Sequence, residues 1–315
     1  MPTRRVYASL PMTGPSGPPG REVLRGAELA LERVGDAPVE LIALDAGGHD
    51  REERAVANAR RAAEDGRAFA YLGDFHSSQV GRTATILGRA GLLQVAPVAT
   101  YAGLGGPTLV RLTPHDGVGA RAIAEWAAAV GVRELLVVHD HDGGYGVPVG
   151  AMCADAARER GLAVRSRPVW DHDEQPADDL GGAQAVLCVG VAGSGAVGLW
   201  HTLHAANPSL WLLGTEGVAT EWLARELSAP AAPRTRFFTS LRAPLGFYGF
   251  EAMSLILDAI AAGGDDRAAV ARAARGTRDR DSILGRYSID EDGHTTSTAY
   301  GRLAVVGGEL VWDRG

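Results

Sequence analysis

Short apolar runs alternate with longer stretches in which apolar residues recur every three or four positions, a pattern that predicts strands and helices in turn. Val6–Leu10, Glu40–Leu44, Phe69–Leu72 and Leu92–Ala96 read as strands. Between them, Arg21–Val34, Arg51–Asp65 and the stretch from Ser77 and Ser78 to Ala90 carry helical periodicity. Three strand–helix units in succession predict an α/β fold with a doubly wound parallel sheet. A short extended run, Thr108–Arg111, is broken by Thr113–Pro114. From Asp116 the alternation restarts. Helix Gly117–Val130, strand Glu134–His139, a helix from about Tyr145 and strand Ala163–Val169 come first. Strand Ala185–Val189, helix Ser194–Ala206, strand Leu210–Leu213, helix Val218–Leu227 and strand Arg236–Ser240 complete a second α/β lobe. Helices Phe247–Ala262 and Arg267–Arg275 precede a hairpin-rich end, with Gly285–Ile289, Tyr300–Val306 and Leu310–Trp312 extended.

The stretch from Tyr71 to Tyr101, YLGDFHSSQVGRTATILGRAGLLQVAPVATY, organises the chain. It reads strand, loop, helix, strand, loop, so its two strands run parallel with the helix as crossover. Both loops then leave the carboxyl ends of their strands, the rim on which open α/β sheets bind ligands. The Ser77 hydroxyl, the unpaired N–H groups of a helix start and the Thr100 hydroxyl suit a carboxylate. Equally, Ser77 could serve only as a helix cap, and Thr100 only as the end of a turn.

GDFHSS followed by VAPVAT resembles the carboxylate-binding segment of the periplasmic binding proteins for branched-chain amino acids. The resemblance runs from the first strand to the terminal hairpin. It implies a periplasmic-binding-protein-like type I fold, two doubly wound lobes joined by a three-segment hinge. Crossings are expected near Pro114–Gly117, Leu241–Ala243 and Leu284–Tyr287, giving lobe 1 as residues 1–115 with 242–284 and lobe 2 as 116–241 with 285–315. It also implies that Ser77, Ser78, Val98, Ala99 and Thr100 face the ligand from the first lobe. LGTEGV places Glu216 where the family holds the ligand's ammonium, and HDGGYG places Tyr145 beside it. Val191 and Tyr248 are expected to complete the ligand-binding set. The chain departs from the family at Val191, Ala192 and Gly193 and at Pro19, where aromatics often stand, which implies a wider or less aromatic side-chain pocket. The implied function is capture of a small carboxylate-bearing ligand, an amino acid or relative, for delivery to an ABC permease. The protein is then an extracytoplasmic monomer, periplasmic or anchored at the cell surface. Its export signal is expected to be absent from this sequence, because Met1–Arg5 leads straight into a strand.

Composition narrows the alternatives. All 31 basic residues are arginine, so a P-loop lysine, a Schiff-base lysine and a Ser–Lys nucleophile pair are excluded. A net charge of −7 and the lack of a basic, aromatic-studded stripe argue against nucleic acid. No apolar run approaches the length of a membrane span, so direct membrane insertion is not expected. Two cysteines, Cys153 and Cys188, are too few for a disulfide scaffold and read as buried thiols, although one bridge is conceivable. The rival reading is an NAD(P)-dependent oxidoreductase using Gly193–Gly198, a literal G-x-G-x-x-G between a strand and a helix, with Glu216 ending the next strand. Against it, the motif lies in mid-chain with too few strands after it for a full dinucleotide domain. The alternative reading of Glu216 is a cap on its following helix. His139, Asp140, His141 and Asp142 suggest a metal, but alternate side chains at a strand end point oppositely, so they read as a polar loop facing the cleft. No nucleophile–base pair is recognisable, and neither an enzyme nor a cofactor is expected.

Overall fold

The computed structural model describes residues 3–35, 38–48, 51–140, 145–168, 180–190, 194–227 and 229–313, with the backbone alone at residue 194. It divides into two compact units, Met1–Pro114 with Ala243–Thr298 and His115–Arg242 with Ala299–Gly315.

The first lobe is built on five parallel strands in the order β2-β1-β3-β4-β5: β1 Arg4–Leu10, β2 Val39–Asp45, β3 Ala68–Gly73, β4 Leu93–Ala96 and β5 Leu109–Arg111. Helices α1 (Gly17–Val34), α2 (Glu52–Glu64) and α3 (Ser77–Arg89) are the crossovers, and α8 (Leu245–Gly263) and α9 (Arg267–Arg275) return later in the chain. Tyr7 and Tyr71 pack with Ala59, Ala62 and Leu87 on the α2/α3 face. On the other, α8 contacts α1, α9, β3 and β4.

Helix α1 starts four residues before the sequence reading placed it, taking in Gly17–Gly20. Pro18 and Pro19 stand in its first turn, where the missing N–H costs nothing and the fixed φ is already helical. Gly20 is required there, since a Cβ would lie 1.9 Å from the Pro11 carbonyl. Helix α8 also departs from expectation: it is long and apolar enough to cross a membrane by length and composition. Yet it is a core helix, interlocked with α1. A Cβ on Gly249 would lie 1.8 Å from the Val23 carbonyl, and one on Gly26 1.8 Å from that of Gly246.

The second lobe has seven strands in the order β12-β11-β10-β9-β8-β6-β7. These are β6 Glu134–His139, β7 Ala163–Pro168, β8 Ala185–Val189, β9 Trp211–Gly214, β10 Thr235–Thr239, β11 Gly301–Val306 and β12 Glu309–Trp312. β6 to β10 are parallel, and the terminal hairpin adds β11 and β12 antiparallel. Its helices are α4 Asp116–Ala129, α5 Gly146–Glu159, α6 Ser194–Ala206 and α7 Glu221–Glu226. Alternate strand residues point to opposite layers. Leu135, Val137, Leu187, Val189 and Phe238 meet α4 and α5, while Leu136, Val138, Val186, Leu212 and Phe237 meet α6 and α7. A strand covered on both faces reads as a continuous apolar run, as these do. Cys153 of α5 lies in one layer and Cys188 of β8 faces the other, both buried and free.

The third division falls after Thr298, not near Leu284–Tyr287 as the sequence suggested. The intervening segment is bound into the first lobe. Buried Glu251 of α8 accepts from Arg280 at 2.6 Å and from the Tyr287 hydroxyl at 2.7 Å. Arg111 N–H donates to the Gly293 carbonyl at 2.8 Å, and Thr295 N–H to the Arg111 carbonyl at 3.0 Å. Leaving Glu251 buried without these donors would be costly, which ties residues 280–295 to α8 and β5.

Beneath the β3–α3 loop lies a buried carboxylate. Asp74 accepts from Ser9 Oγ at 2.8 Å, Tyr71 Oη at 3.0 Å and Thr83 Oγ1 at 2.7 Å, and Gln94 donates to Thr83 at 2.8 Å. Burial pushes this carboxyl up to about 6, against the pull of the three hydroxyl donors.

Two outcomes follow. Gly249→Ala should lower stability by about 1–3 kcal/mol or more through forced separation of α1 and α8, read by denaturant unfolding; an unchanged midpoint would refute the interlock. In the native state Asp74 keeps its proton to higher pH than the unfolded chain, whose carboxyl titrates near ~4. Its contribution to stability is therefore full below about pH 4 and is lost as pH rises through about 6. Asp74→Asn, which cannot ionise, should gain melting temperature relative to the parent across that window; a pH-independent difference would show that Asp74 is not the titrating group.

Candidate functional site

In the first lobe the candidate residues sit on two neighbouring loops. Helix α3 opens with Ser77 and Ser78 in its first turn and His76 at the cap position, with no side-chain capping bond. The reading of Ser77 as a cap is thereby displaced. First-turn N–H groups have no acceptor within their own helix. After β4, Val98, Ala99 and Thr100 are buried. Tyr101 N–H donates to Ser77 Oγ at 3.2 Å, which joins the two loops. Because the Ser77 oxygen accepts there, its proton is left for another acceptor. Among the described residues, neither the Ser77 nor the Thr100 hydroxyl donates to the protein. Two of the loop's carbonyls are engaged: Thr113 donates to Ala99 O at 3.0 Å and Arg111 to Tyr101 O at 2.5 Å. Donors remain while these two acceptors are occupied, a polarity that suits an anion. Tyr248 lies in the first turn of α8, buried in the same lobe.

The second lobe has the opposite character. Glu216 follows β9, and its Oε2 accepts from Ser240 N–H at 3.0 Å, Ser240 Oγ at 2.9 Å and Thr239 Oγ1 at 3.2 Å. It does not cap the next helix; Thr220 does, accepting from Leu223 N–H at 3.1 Å. The turn at Gly217 presses on the end of β8, where a Cβ would come within 2.3 Å of the Gly190 carbonyl. Tyr145, half-buried at the start of α5, donates to Thr215 Oγ1 at 3.2 Å. Burial, then the charges of Asp116 and Glu216, hold its phenol well above the ordinary range. Tyr300, whose ring end abuts Gly119, is raised by burial and then by Glu216, Asp116 and Tyr145. Both phenols therefore stay protonated, and both sense two carboxylates.

Asp116 and Tyr300 were not singled out from the sequence. Asp116 is buried in the first turn of α4, with a signal only in retrospect: it is the first acid after the Thr113–Pro114 break. Tyr300 stands just after the third division, which the sequence placed elsewhere. Val191 lies outside the described residues, as do His141 and Asp142. Asp140, expected on a cleft-facing loop, is buried, with its carboxylate against Gly146 and Gly190. Among the described residues no group of three or more His, Cys, Asp or Glu could hold a metal.

The dinucleotide reading finds no support in the described part of its motif. Gly193 lies outside the described residues, but a Cβ on Gly198 would meet nothing within 4 Å, so no close helix–strand packing demands a glycine there.

Comparison with known proteins agrees with this architecture. No curated protein matches the chain in sequence. A leucine-binding protein, LivK, from Thermotoga maritima superposes with a TM-score of 0.81 at 22% identity, over 98% of this chain and 97% of that one. The isoleucine complex of the substrate-binding protein LivJ from Streptococcus pneumoniae gives 0.78 at 15% identity, over 99% and 100%. A solute-binding protein from R. palustris in complex with 4-hydroxybenzoate gives 0.80 at 17% identity, over 98% and 95%. At these identities the likeness is one of fold. The sequence model of the family described as periplasmic binding protein matches residues 6–215, spanning every strand from β1 to β9 together with the Ser77, Thr100 and Tyr145 loops, and the chain belongs to that family.

Proposed function

We propose that this protein is an extracytoplasmic solute-binding protein that captures a small molecule bearing a carboxylate and an ammonium, for delivery to an ABC permease, and that it catalyses no reaction. The observation that carries this reading is the opposite polarity of the two rims. The first lobe offers hydroxyls and helix-start N–H groups with the Ala99 and Tyr101 carbonyls engaged; the second offers the oriented Glu216 carboxylate with Asp116 and two protonated tyrosines. Ser77, Ser78, Ala99 and Thr100 would hold the carboxylate. Glu216 would take the ammonium, and Tyr145 would stand beside it. Capture would proceed by closure of the lobes, a transition known in periplasmic binding proteins. LivJ is seen with isoleucine and the R. palustris protein with 4-hydroxybenzoate, so the fold accommodates carboxylates with and without an ammonium. The carboxylates of the second lobe favour the first kind.

Melting the protein against L-leucine, L-isoleucine, 4-hydroxybenzoate and NAD tests the class, because a ligand at a hundred times its Kd stabilises the native state by about 2.7 kcal/mol. An upward shift with an amino acid and none with NAD is expected. A shift with 4-hydroxybenzoate alone would remove the ammonium from the proposal.

Glu216→Gln keeps the size of the side chain and removes its charge. Truncating one member of a buried charge pair costs about 2–5 kcal/mol, so affinity for the amino acid that binds should fall roughly 30- to several-thousand-fold. Calorimetric titration decides it, and parent-like affinity would mean that no ammonium is held at Glu216.

A further inference from the structure

We propose that Arg111 is the positioning residue of the anion-holding rim, fixing the loop from Val98 to Tyr101 so that Ser77 and Thr100 present donors; the ligand-side consequence rests on the carboxylate reading above. Arg111 ends β5 and is fully buried, in register with Ala96, the last residue of β4, from which that loop departs. Its backbone is pinned on both sides, N–H to Gly293 O and carbonyl to Thr295 N–H, so the side chain starts from a fixed point. From there the guanidinium crosses to the Tyr101 carbonyl at 2.5 Å. A second tether, His294 Nε2 to Leu104 O at 2.9 Å, holds the continuation of the same loop from the same clasp.

The geometry assigns a specific consequence to the Arg111 bond. With its carbonyl drawn to the guanidinium, Tyr101 keeps its N–H on Ser77 Oγ at 3.2 Å. That N–H occupies one lone pair of the Ser77 oxygen and leaves its proton to donate outward. Released, Tyr101 could turn its carbonyl toward the rim, where a partial negative charge would oppose a carboxylate and compete for the Ser77 proton. A buried cation next to the loop adds a favourable field for an anion, little screened at low local dielectric. Arg111 itself need not touch the ligand.

The test has a ligand-free arm and a binding arm. Amide hydrogen exchange of the ligand-free protein, followed by NMR, should show Tyr101 exchanging at least roughly tenfold faster in Arg111→Met, with acceleration confined to residues 101–104 and β1 and β3 unchanged. Arg111→Lys, which keeps a cation but not the planar donor fork, should fall between parent and Met variant. If the Met variant does not fold, the Lys variant carries the test. Acceleration confined to that loop supports the proposal; parent-like exchange at Tyr101, or acceleration spread evenly over the lobe, overturns it. In the binding arm, L-leucine and L-leucinamide are titrated calorimetrically. Arg111→Met should weaken L-leucine roughly ten- to a hundredfold while changing L-leucinamide less than about threefold. Equal losses would overturn the anion-positioning role. Should the parent bind neither probe, leucine is not the ligand and the exchange arm alone decides the role of Arg111.

Discussion

All strands of a parallel sheet end on the same side, and every local device described above depends on that constraint. β3 and β4 deliver their loops to one rim because the α3 crossover must return the chain to the start of the next strand. The rim then inherits what parallel topology leaves over: helix starts with unfulfilled N–H groups and strand ends with unfulfilled carbonyls. In the first lobe Thr113 and Arg111 absorb the Ala99 and Tyr101 carbonyls, while the first-turn N–H groups of α3 have no acceptor within their helix. The rim's polarity is therefore set by which leftover groups the neighbouring strand neutralises. Ligand chemistry follows from that bookkeeping.

The second lobe reaches the contrary polarity with the same architecture. Glu216 follows β9 as Ser77 follows β3, but here the neighbouring strand end supplies donors, Ser240 N–H and two hydroxyls, which hold a carboxylate in place. Gly217 makes this possible by letting the turn sit against Gly190. Asp116 adds a second negative charge at a helix start, where the macrodipole favours it.

Local signals carried most of the fold. The apolar runs of β6, β8 and β10 and the helix over Arg267–Arg275 were legible because both faces of each strand and one face of the helix are buried in a regular period. The Ser77, Thr100, Tyr145 and Glu216 loops were legible through short motifs beside strand ends. What escaped was non-local. The third crossing was misplaced because the bond from Tyr287 to Glu251 joins residues far apart in sequence, and nothing near Tyr287 announces it. Asp116 and Tyr300 gain meaning only when α4 and the segment after Thr298 are seen to meet. The start of α1 was placed at Arg21, past Pro18 and Pro19, which stand in its first turn as helix starters.

The interlock of α1 with α8 has a consequence for how the polypeptide is made. The first lobe's sheet is complete by Arg111, yet α8 and α9, which cover one of its faces, are encoded after nearly all of the second lobe. During vectorial synthesis the early sheet must wait, with α1 presenting the grooves at Gly26 and Val23 to solvent, while the ribosome produces residues 115–242. The second lobe's parallel core has no comparable delay, because its missing piece is only the terminal hairpin at the sheet edge. The lobe begun first thus keeps one face of its sheet uncovered while the core of the other is already being made. For that interval a chaperone able to shield an uncovered sheet face would find its substrate in the amino-terminal third of the chain.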